Sequence, residues 1–390
     1  MYYITVKQSP RYKQMTLDDL LFGSSSGPVL LNSNETNTRT YTLNWIHPKY
    51  REVINPVNVI ANLAEFNLQT AKLHEVDRKS LYSEFHIPKK SGGLRKISKP
   101  EPELMDALRR LKTILEEDCG ADALYHTSAF AYIKGRCTID AVKRHQSNKS
   151  KWFAKYDLSN FFGSTTLDYA MKMFSMVFPF CEVVKNEVGE EELRKALDLA
   201  FLDGGLPQGT PISPIITNIM MIPVDHALYN GFRDFEYKKH GKDVVSNYCV
   251  YTRYADDFIV SSKYDFDFKQ AEDYIVETLS SFGAPFSINS KKTRYGSSSG
   301  ANWNLGVMLN KDNKITIGHK KKKRFQAMLC SFVLDHVNGK PWPIEDVQAL
   351  EGYRNYYSSI EGEAIDGIIA HMNDKFGVDI RDMIKKILQG

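Results

Sequence analysis

Tyr254-Ala255-Asp256-Asp257 is the stretch on which the reading of this chain turns. The residues before it, Asn247 to Tyr254 (NYCVYTRY), are rich in β-formers, and Phe258-Ile259-Val260 after it reads as a second strand. Two short strands around a tight turn make a β-hairpin. The turn itself carries two adjacent carboxylates, which repel each other and destabilise an ordinary turn. Divalent cations that neutralise the pair explain it best. The alternative is a solvated Asp-rich turn, and three other segments argue against it.

The first is Trp152-Phe153-Ala154-Lys155-Tyr156-Asp157-Leu158-Ser159-Asn160-Phe161-Phe162, a strand ending in an Asp. A turn follows, and then a helix opening at Thr165-Thr166-Leu167-Asp168, a helix-start signature. If the two strands are sheet neighbours, Asp157 meets the hairpin carboxylates. The second is Gly205-Leu206-Pro207-Gln208-Gly209-Thr210-Pro211-Ile212-Ser213-Pro214. Its Gly and Pro residues force a shaped loop, and Ser213-Pro214 is expected to cap a helix with Pro at the first helical position. The third is Ile87-Pro88-Lys89-Lys90-Ser91-Gly92-Gly93-Leu94-Arg95-Lys96-Ile97, a basic hairpin with a Gly-Gly turn.

With these segments in this order, the chain resembles a reverse transcriptase of the prokaryotic group that includes group II intron, retron and antiviral enzymes. The resemblance runs from about Ile87 to about Leu309. It follows the family's order: basic fingers hairpin, first metal Asp, QGxxxSP loop, YxDD hairpin. Asn289-Ser290-Lys291-Lys292-Thr293 then looks like the family's lysine motif, and Asn304-Leu305-Gly306-Val307 like its primer-grip hairpin. Each segment alone is weak; the ordered set is specific. The implied fold is α+β: a right-hand polymerase whose fingers and palm are an antiparallel sheet packed on helices, with a helical thumb. The implied domains are an N-terminal extension (1–85), fingers and palm (86–310) and thumb (311–390).

The resemblance implies an RNA-directed DNA polymerase, a nucleotidyltransferase that makes DNA from dNTPs on an RNA template. Two Mg²⁺ ions, with Mn²⁺ as a substitute, would activate the primer 3′-hydroxyl and hold the leaving phosphate. The metal ligands implied are Asp157, Asp256, Asp257 and the carbonyl of Leu158. Lys292 becomes a candidate general acid for pyrophosphate, with a plain surface lysine as the alternative. Lys89 and Arg95 would grip the triphosphate, because ammonium and guanidinium donors suit phosphate oxygens. Phe162, five residues past Asp157, occupies the family's steric-gate position and would exclude a 2′-hydroxyl; Phe161 beside it reads as core. Gln208 would contact the nucleotide or template base, and Tyr254 would lie near the primer end. Arg136, in Gly135-Arg136 after His126-Thr127-Ser128-Ala129-Phe130, resembles the template-contacting segment.

Composition sets bounds on this reading. A chain of 390 residues with 42% hydrophobic content can bury a sizeable core in two or three subdomains. The net charge of +4 is mild, so charge position says more than the total. Five scattered cysteines with no CxxC pair point to a reducing cytosol and a cytoplasmic protein. The amino end lacks the pattern of a signal peptide, and no apolar run approaches the ~20 residues of a membrane span.

Outside the motifs, Thr16 to Phe22 reads as a short helix, and Gly23 to Gly27 and Asn32 to Thr40 as loops. Apolar spacing is helical from Pro56 to Phe85, over Ala107 to Leu115 and over Glu190 to Asp203. The extension either holds RNA or serves as a packing element. From Lys320 the pattern turns to helices, with Phe325, Met328, Leu329, Phe332, Val333 and Val337 as one stripe ended by Gly339. Its first turn is Lys320-Lys321-Lys322-Lys323-Arg324. Cations there oppose the helix dipole at up to about 1 kcal/mol each. Phosphates of a bound nucleic acid would relieve that cost; a solvated basic edge is the alternative. Further helices are expected across 344–359, 363–375 and 379–388.

Two departures separate the sequence from the retron pattern. Leu305-Gly306-Val307 replaces the Val-Thr-Gly triplet, and Asp140-Ala141-Val142-Lys143-Arg144-His145 departs from the Asn-Ala-x-x-His element. The chain then looks most like the stand-alone bacterial antiviral reverse transcriptases, a family analogy that implies a dedicated non-coding RNA and, in some cases, a partner protein or a second copy. The alternatives are a retron-type enzyme making RNA-linked DNA, a template-independent or protein-primed DNA synthase, and a non-catalytic RNA-binding scaffold.

Overall fold

The computed structural model describes residues 4–7, 38–41, 54–89, 92–119, 124–239, 243–298, 303–304 and 306–389. The expected helix over 16–22 lies outside them. Strand β1 (Ile4–Lys7) pairs antiparallel with β2 (Thr38–Tyr41), so the end of the stretch that reads as a loop is a strand. Helix α1 (Pro56–Gln69) starts where Asn55 accepts a hydrogen bond from the Val57 N–H at 3.0 Å. Pro56 stands in the first turn, where its missing N–H costs nothing. The helical spacing suggested a run to Phe85. Instead the helix ends at Gln69, Asp77 caps a short 3-10 turn, and Tyr82 opens a strand.

Strands β3 (Tyr82–Pro88) and β4 (Leu94–Pro100) form the basic hairpin, with Pro88 opposite Leu94. Gly92 and Gly93 both take positive φ, +88° and +80°, which side-chain-bearing residues rarely adopt. Helix α2 (Pro102–Thr113) begins earlier than its apolar stripe suggested, because Pro102 starts its first turn. After α3 (Thr138–Ser147), β5 (Trp152–Asp157) ends at the expected Asp. Helix α4 (Leu167–Phe174) is capped by Thr166, whose hydroxyl accepts from Tyr169 N–H at 3.2 Å. Helix α5 is Glu187–Asp198.

Helices α6 (Ser213–Met220) and α7 (Ile222–Arg233) are buried almost all round. That explains their near-continuous apolar sequence. A hairpin of β6 (Phe235–Lys239) and β7 (Asp243–Asn247) precedes β8 (Cys249–Tyr254) and β9 (Asp257–Ser262). Helix α8 (Phe268–Ser281) and β10 (Arg294–Ser297) follow, and the sheet order is β10-β5-β9-β8. Strand β5 is thus the neighbour of β9, as the meeting of carboxylates requires. Strands β11 (Trp303–Asn304), β12 (Val307–Leu309) and β13 (Ile315–Thr316) form a small meander. Helices α9 (His319–Val337), α10 (Ile344–Phe376) and α11 (Ile380–Gln389) complete the chain.

The chain divides into two compact units. The first takes the described residues of Met1–Cys137, Ala154–Val260 and Phe266–Arg294; the second takes Thr138–Phe153, Ser261–Asp265 and those of Tyr295–Gly390. In the first unit, α1 packs through Val59, Leu63 and Phe66, and Asn67 Nδ2 donates to the Glu192 carbonyl of α5 at 2.8 Å. Arg78 ties the following turn to Asp198 at 2.9 Å. Helix α1 and the turn after it thus pack against α5.

In the second unit, Phe325, Leu329, Phe332, Val333, Val347, Leu350, Ile365, Ile369 and Ile384 form one core. Val337, placed on the stripe by its spacing, is 68% exposed because it lies in the last turn before Gly339. The expected break near 360 appears as Glu361, whose φ of −140° and ψ of 63° leave the helical region within α10. Its carboxylate accepts from Thr316 Oγ1 and Ile317 N–H, both at 2.8 Å, and pairs with Lys322 at 2.7 Å.

Candidate active site

Asp157 closes β5, and the hairpin turn is fastened directly beside it: Leu158 N–H donates to the Asp256 carbonyl at 3.0 Å. On the other side, Asn289 N–H donates to the Asp157 carbonyl and Ser159 N–H to the Ser287 carbonyl, both at 2.8 Å. These bonds pin the backbone on either side of the Leu158 carbonyl. Lys292, brought round by its own N–H bonding the Asn289 carbonyl, pairs with Asp157 Oδ1 at 2.8 Å. Lys155 pairs with Asp257 Oδ2 at 2.7 Å. Lys155 stands two residues before Asp157, so the period of a strand puts both side chains on one face. Sequence reasoning missed Lys155, although that alternation was legible.

The two turn carboxylates are held against their preference. Burial, then the Asp257 and Asp157 charges, push the Asp256 carboxyl above the usual carboxylate range. Burial also raises Asp257, and the Lys155 ammonium opposes the rise. Lys292 is raised by its hydrogen bond to Asp157 and by the charges of all three aspartates. This is a concentrated negative pole faced by two cations, and its donors are hard oxygens that fit a divalent ion. Among the described residues no group of three or more His, Cys, Asp or Glu side chains is arranged to enclose a metal alone. Asp157 and Asp257 each carry a lysine partner, on Oδ1 and Oδ2 respectively.

The hairpin rests on a buried ion pair that sequence reasoning also missed. Arg253 and Asp225 are fully buried side chains paired at 2.8 Å, and Tyr251 Oη donates to Asp225 at 2.9 Å. Arg253 also donates to Asn218 Oδ1 at 3.1 Å and to the Ala255 carbonyl at 3.3 Å. Ala255 sits at φ +57°, sparsely populated for a residue with a Cβ. A charged Arg just before the turn gives no hint of its partner 28 positions away.

The glycines of the Gln208 loop have specific jobs. A Cβ on Gly205 would lie 2.3 Å from the Gly163 carbonyl oxygen, and the neighbouring Leu206 N–H donates to the Phe162 carbonyl at 3.0 Å. Gly209, at φ +113°, lies against β4, where Ser98 N–H donates to the Gln208 carbonyl at 2.8 Å. Thus the loop joins the backbone of Phe162 to the basic hairpin. Ser213 does not cap α6. Its hydroxyl bonds the Pro207 carbonyl and Thr210 inside the loop, and the Ser213 N–H donates to Thr210 Oγ1 at 3.2 Å.

Phe161 is core, its ring tilted against Phe286 with centroids 4.9 Å apart, whereas Phe162 is half-buried. Beside Phe162 stands Tyr132, which motif reading overlooked, with ring centroids 6.5 Å apart. The Tyr132 hydroxyl is raised by burial and by the charges of Asp256 and Tyr254, and the Arg95 guanidinium opposes the rise. Lys89 is exposed beside the Gly92-Gly93 turn at the tip of the hairpin. Arg136 is a clamp of its own loop: it donates to the carbonyls of His126 at 2.6 Å and Ala129 at 2.7 Å. Of the basic run, Lys322 is tied to Glu361 and Lys321 to the Gly306 carbonyl, while Lys320, Lys323 and Arg324 are exposed.

The family model for reverse transcriptase (RNA-dependent DNA polymerase) matches residues 87–325. The Retron Ec73 reverse transcriptase of Escherichia coli is 28% identical over 283 residues, covering 70% of this chain and 82% of the relative. The Retron Ec83 reverse transcriptase of Escherichia coli is 27% identical over 320 residues, covering 79% and 91%. Among solved structures, telomerase from Candida albicans in complex with a fragment of telomeric RNA aligns with a TM-score of 0.45 and 13% identity, over 78% of this chain and 63% of that one.

Proposed function

Because the chain belongs to the reverse transcriptase (RNA-dependent DNA polymerase) family, we propose that Asp157 and Asp256 are the centre of its nucleotidyl transfer, with Mg²⁺ as the metal. The enzyme is an RNA-directed DNA polymerase, and enzymes of this family use divalent metal ions. The observation that carries the reading is the junction of Asp157 with the Tyr254–Asp257 hairpin, fixed by the Leu158 N–H to Asp256 carbonyl bond. Two bound Mg²⁺ ions would activate the primer hydroxyl and neutralise the leaving pyrophosphate. Asp157, Asp256 and the Leu158 carbonyl would hold them. Lys292, drawn to Asp157, is placed to give a proton to pyrophosphate once substrate phosphates compete for it. Lys155 keeps Asp257 oriented. Arg95 would bind the triphosphate, Gln208 would line the loop side, Phe162 would exclude a ribose 2′-hydroxyl, and Tyr254 would face the primer end.

The test is extension of a primer on an RNA template by purified protein with dNTPs. Extension should require Mg²⁺, accept Mn²⁺ in its place and stop with chelator. Extension unaffected by chelator overturns the metal assignment.

The template is a dedicated non-coding RNA, and the biological setting is antiphage defence in the cytoplasm. Two retron relatives match over most of their own length. That favours a retron-type enzyme making RNA-linked DNA over the stand-alone class towards which residues 140–145 and 305–307 pointed. Nucleic acid copurified from cells should contain a DNA whose mobility changes on ribonuclease treatment. Free DNA unaffected by ribonuclease would restore the stand-alone reading.

A further inference from the structure

Tyr132 combines three properties that core or surface tyrosines seldom share. It is 53% exposed, yet its backbone sits at φ +61°, a region that costs energy for a bulky residue. The three residues before it are each held by a hydrogen bond. Asn218 Nδ2 donates to the Ala131 carbonyl at 2.8 Å, Phe130 N–H donates to the Arg253 carbonyl at 2.9 Å, and Arg136 clamps the Ala129 carbonyl at 2.7 Å. The Asn218 side chain that fixes Tyr132 also accepts from Arg253, and Arg253 supports the Ala255 carbonyl next to Asp256. One buried polar chain therefore sets both the carboxylate turn and this tyrosine. Strain maintained at this expense, on a ring left open to solvent, marks a functional contact.

We propose that Tyr132 contacts the incoming nucleotide, its ring extending the wall begun by Phe162 and its hydroxyl bonding the sugar–triphosphate part, with Asn218 as its positioning residue. The ring lies edge-on to Phe162, with an interplanar angle of 72°. Beyond burial, the charges of Asp256, Tyr254 and Arg95 act on its hydroxyl. These are the residues placed at the metal, the primer end and the triphosphate, and none of them reads a base. The contact is consequently independent of base identity. This inference rests on the polymerase reading above, and it adds a substrate-binding group from within segment 126–136, where the family resemblance pointed only to Arg136.

The test is steady-state extension on one primed RNA with each dNTP in turn, alongside thermal midpoints and equilibrium binding of the primed template. Tyr132→Asn keeps a residue tolerant of left-handed backbone but removes the ring. It should raise KM for all four dNTPs at least fivefold and equally, with template affinity unchanged and the midpoint equal or higher. Tyr132→Phe should raise KM by a smaller factor through loss of the hydroxyl alone. Asn218→Ala should reproduce the KM increase through misplacement, without altering template affinity. A KM within twofold of wild type in Tyr132→Asn overturns the proposal, as does a loss confined to one base or a fall in midpoint that accounts for the lost activity. Wild-type protein that extends no primer contradicts the polymerase reading itself, a result separate from any of these.

Discussion

At Asp256 the problem is charge. The folded chain keeps this carboxyl partly buried beside Asp257 and Asp157, and its proton affinity rises as a result. A raised folded value means that ionisation favours the unfolded chain. The penalty is absent well below pH 3.8 and is complete once pH exceeds the folded value. Metal-free stability should therefore lose this contribution as pH rises through that window. At neutral pH, Asp256→Asn should raise the thermal midpoint of metal-free protein. It should also abolish stabilisation by added Mg²⁺. Calorimetry with and without Mg²⁺ checks both, and a lower metal-free midpoint would contradict the repulsion. In the short helical turn after β5, Phe161 and Phe162 share a sequence context but not an environment. Phe162→Ala should shift the ratio of rNTP to dNTP efficiency towards rNTP by about tenfold or more. Phe161→Ala should leave the ratio alone and cost ~3–5 kcal/mol of stability. Equal ratios in both variants would remove the gate from Phe162. Their sequence positions suggested this division of labour. Tyr132 carried no such signal, because its backbone strain and its neighbour Phe162 exist only after folding.

At the scale of elements, the carboxylate hairpin is held by α6 and α7 through Asn218 and Asp225. Removing one partner of a buried pair strands the other charge. Asp225→Ala should destabilise by ~3–5 kcal/mol, and Asp225→Leu with Arg253→Met should recover much of that loss. Denaturant titration of the three proteins measures it; a single variant as stable as wild type would deny the pair its role. Helix starts, the Gly-Gly hairpin and strand β5 were legible because capping residues, turn glycines and alternation act locally. The Arg253–Asp225 pair was not, since contact between distant segments leaves no local pattern. The break at Glu361 was visible only as a gap between stripes; its cause is the set of donors from 316, 317 and 322. The same contacts change the expectation for the basic run. Salt-dependent nucleic-acid binding should lose about 0.7–0.9 in slope for each phosphate contact removed. That loss should follow substitution of Lys320, Lys323 and Arg324, with little change from Lys321 or Lys322. An unchanged slope in the triple variant would make these three a solvated helix edge.

For the whole molecule, the motif order along 87–309 was enough to place the family, because each motif encodes a turn or strand end with its chemistry attached. The boundaries at 85 and 310 were drawn from motif positions, whereas the compact units are interleaved in sequence. Segment 138–153 leaves the chain of motifs to join the second unit, a long-range association that periodicity does not report. The two-metal account stands on the junction of β5 with the hairpin turn in the first unit. The most direct test is primer extension on RNA by wild type, Asp157→Asn and the double variant Asp256→Asn with Asp257→Asn, each shown to be folded by circular dichroism. Wild type should extend the primer with dNTPs and Mg²⁺. Both variants should lose activity by about three orders of magnitude or more, corresponding to ~4 kcal/mol of transition-state stabilisation. Full-length extension by either folded variant would contradict the assignment of these carboxylates.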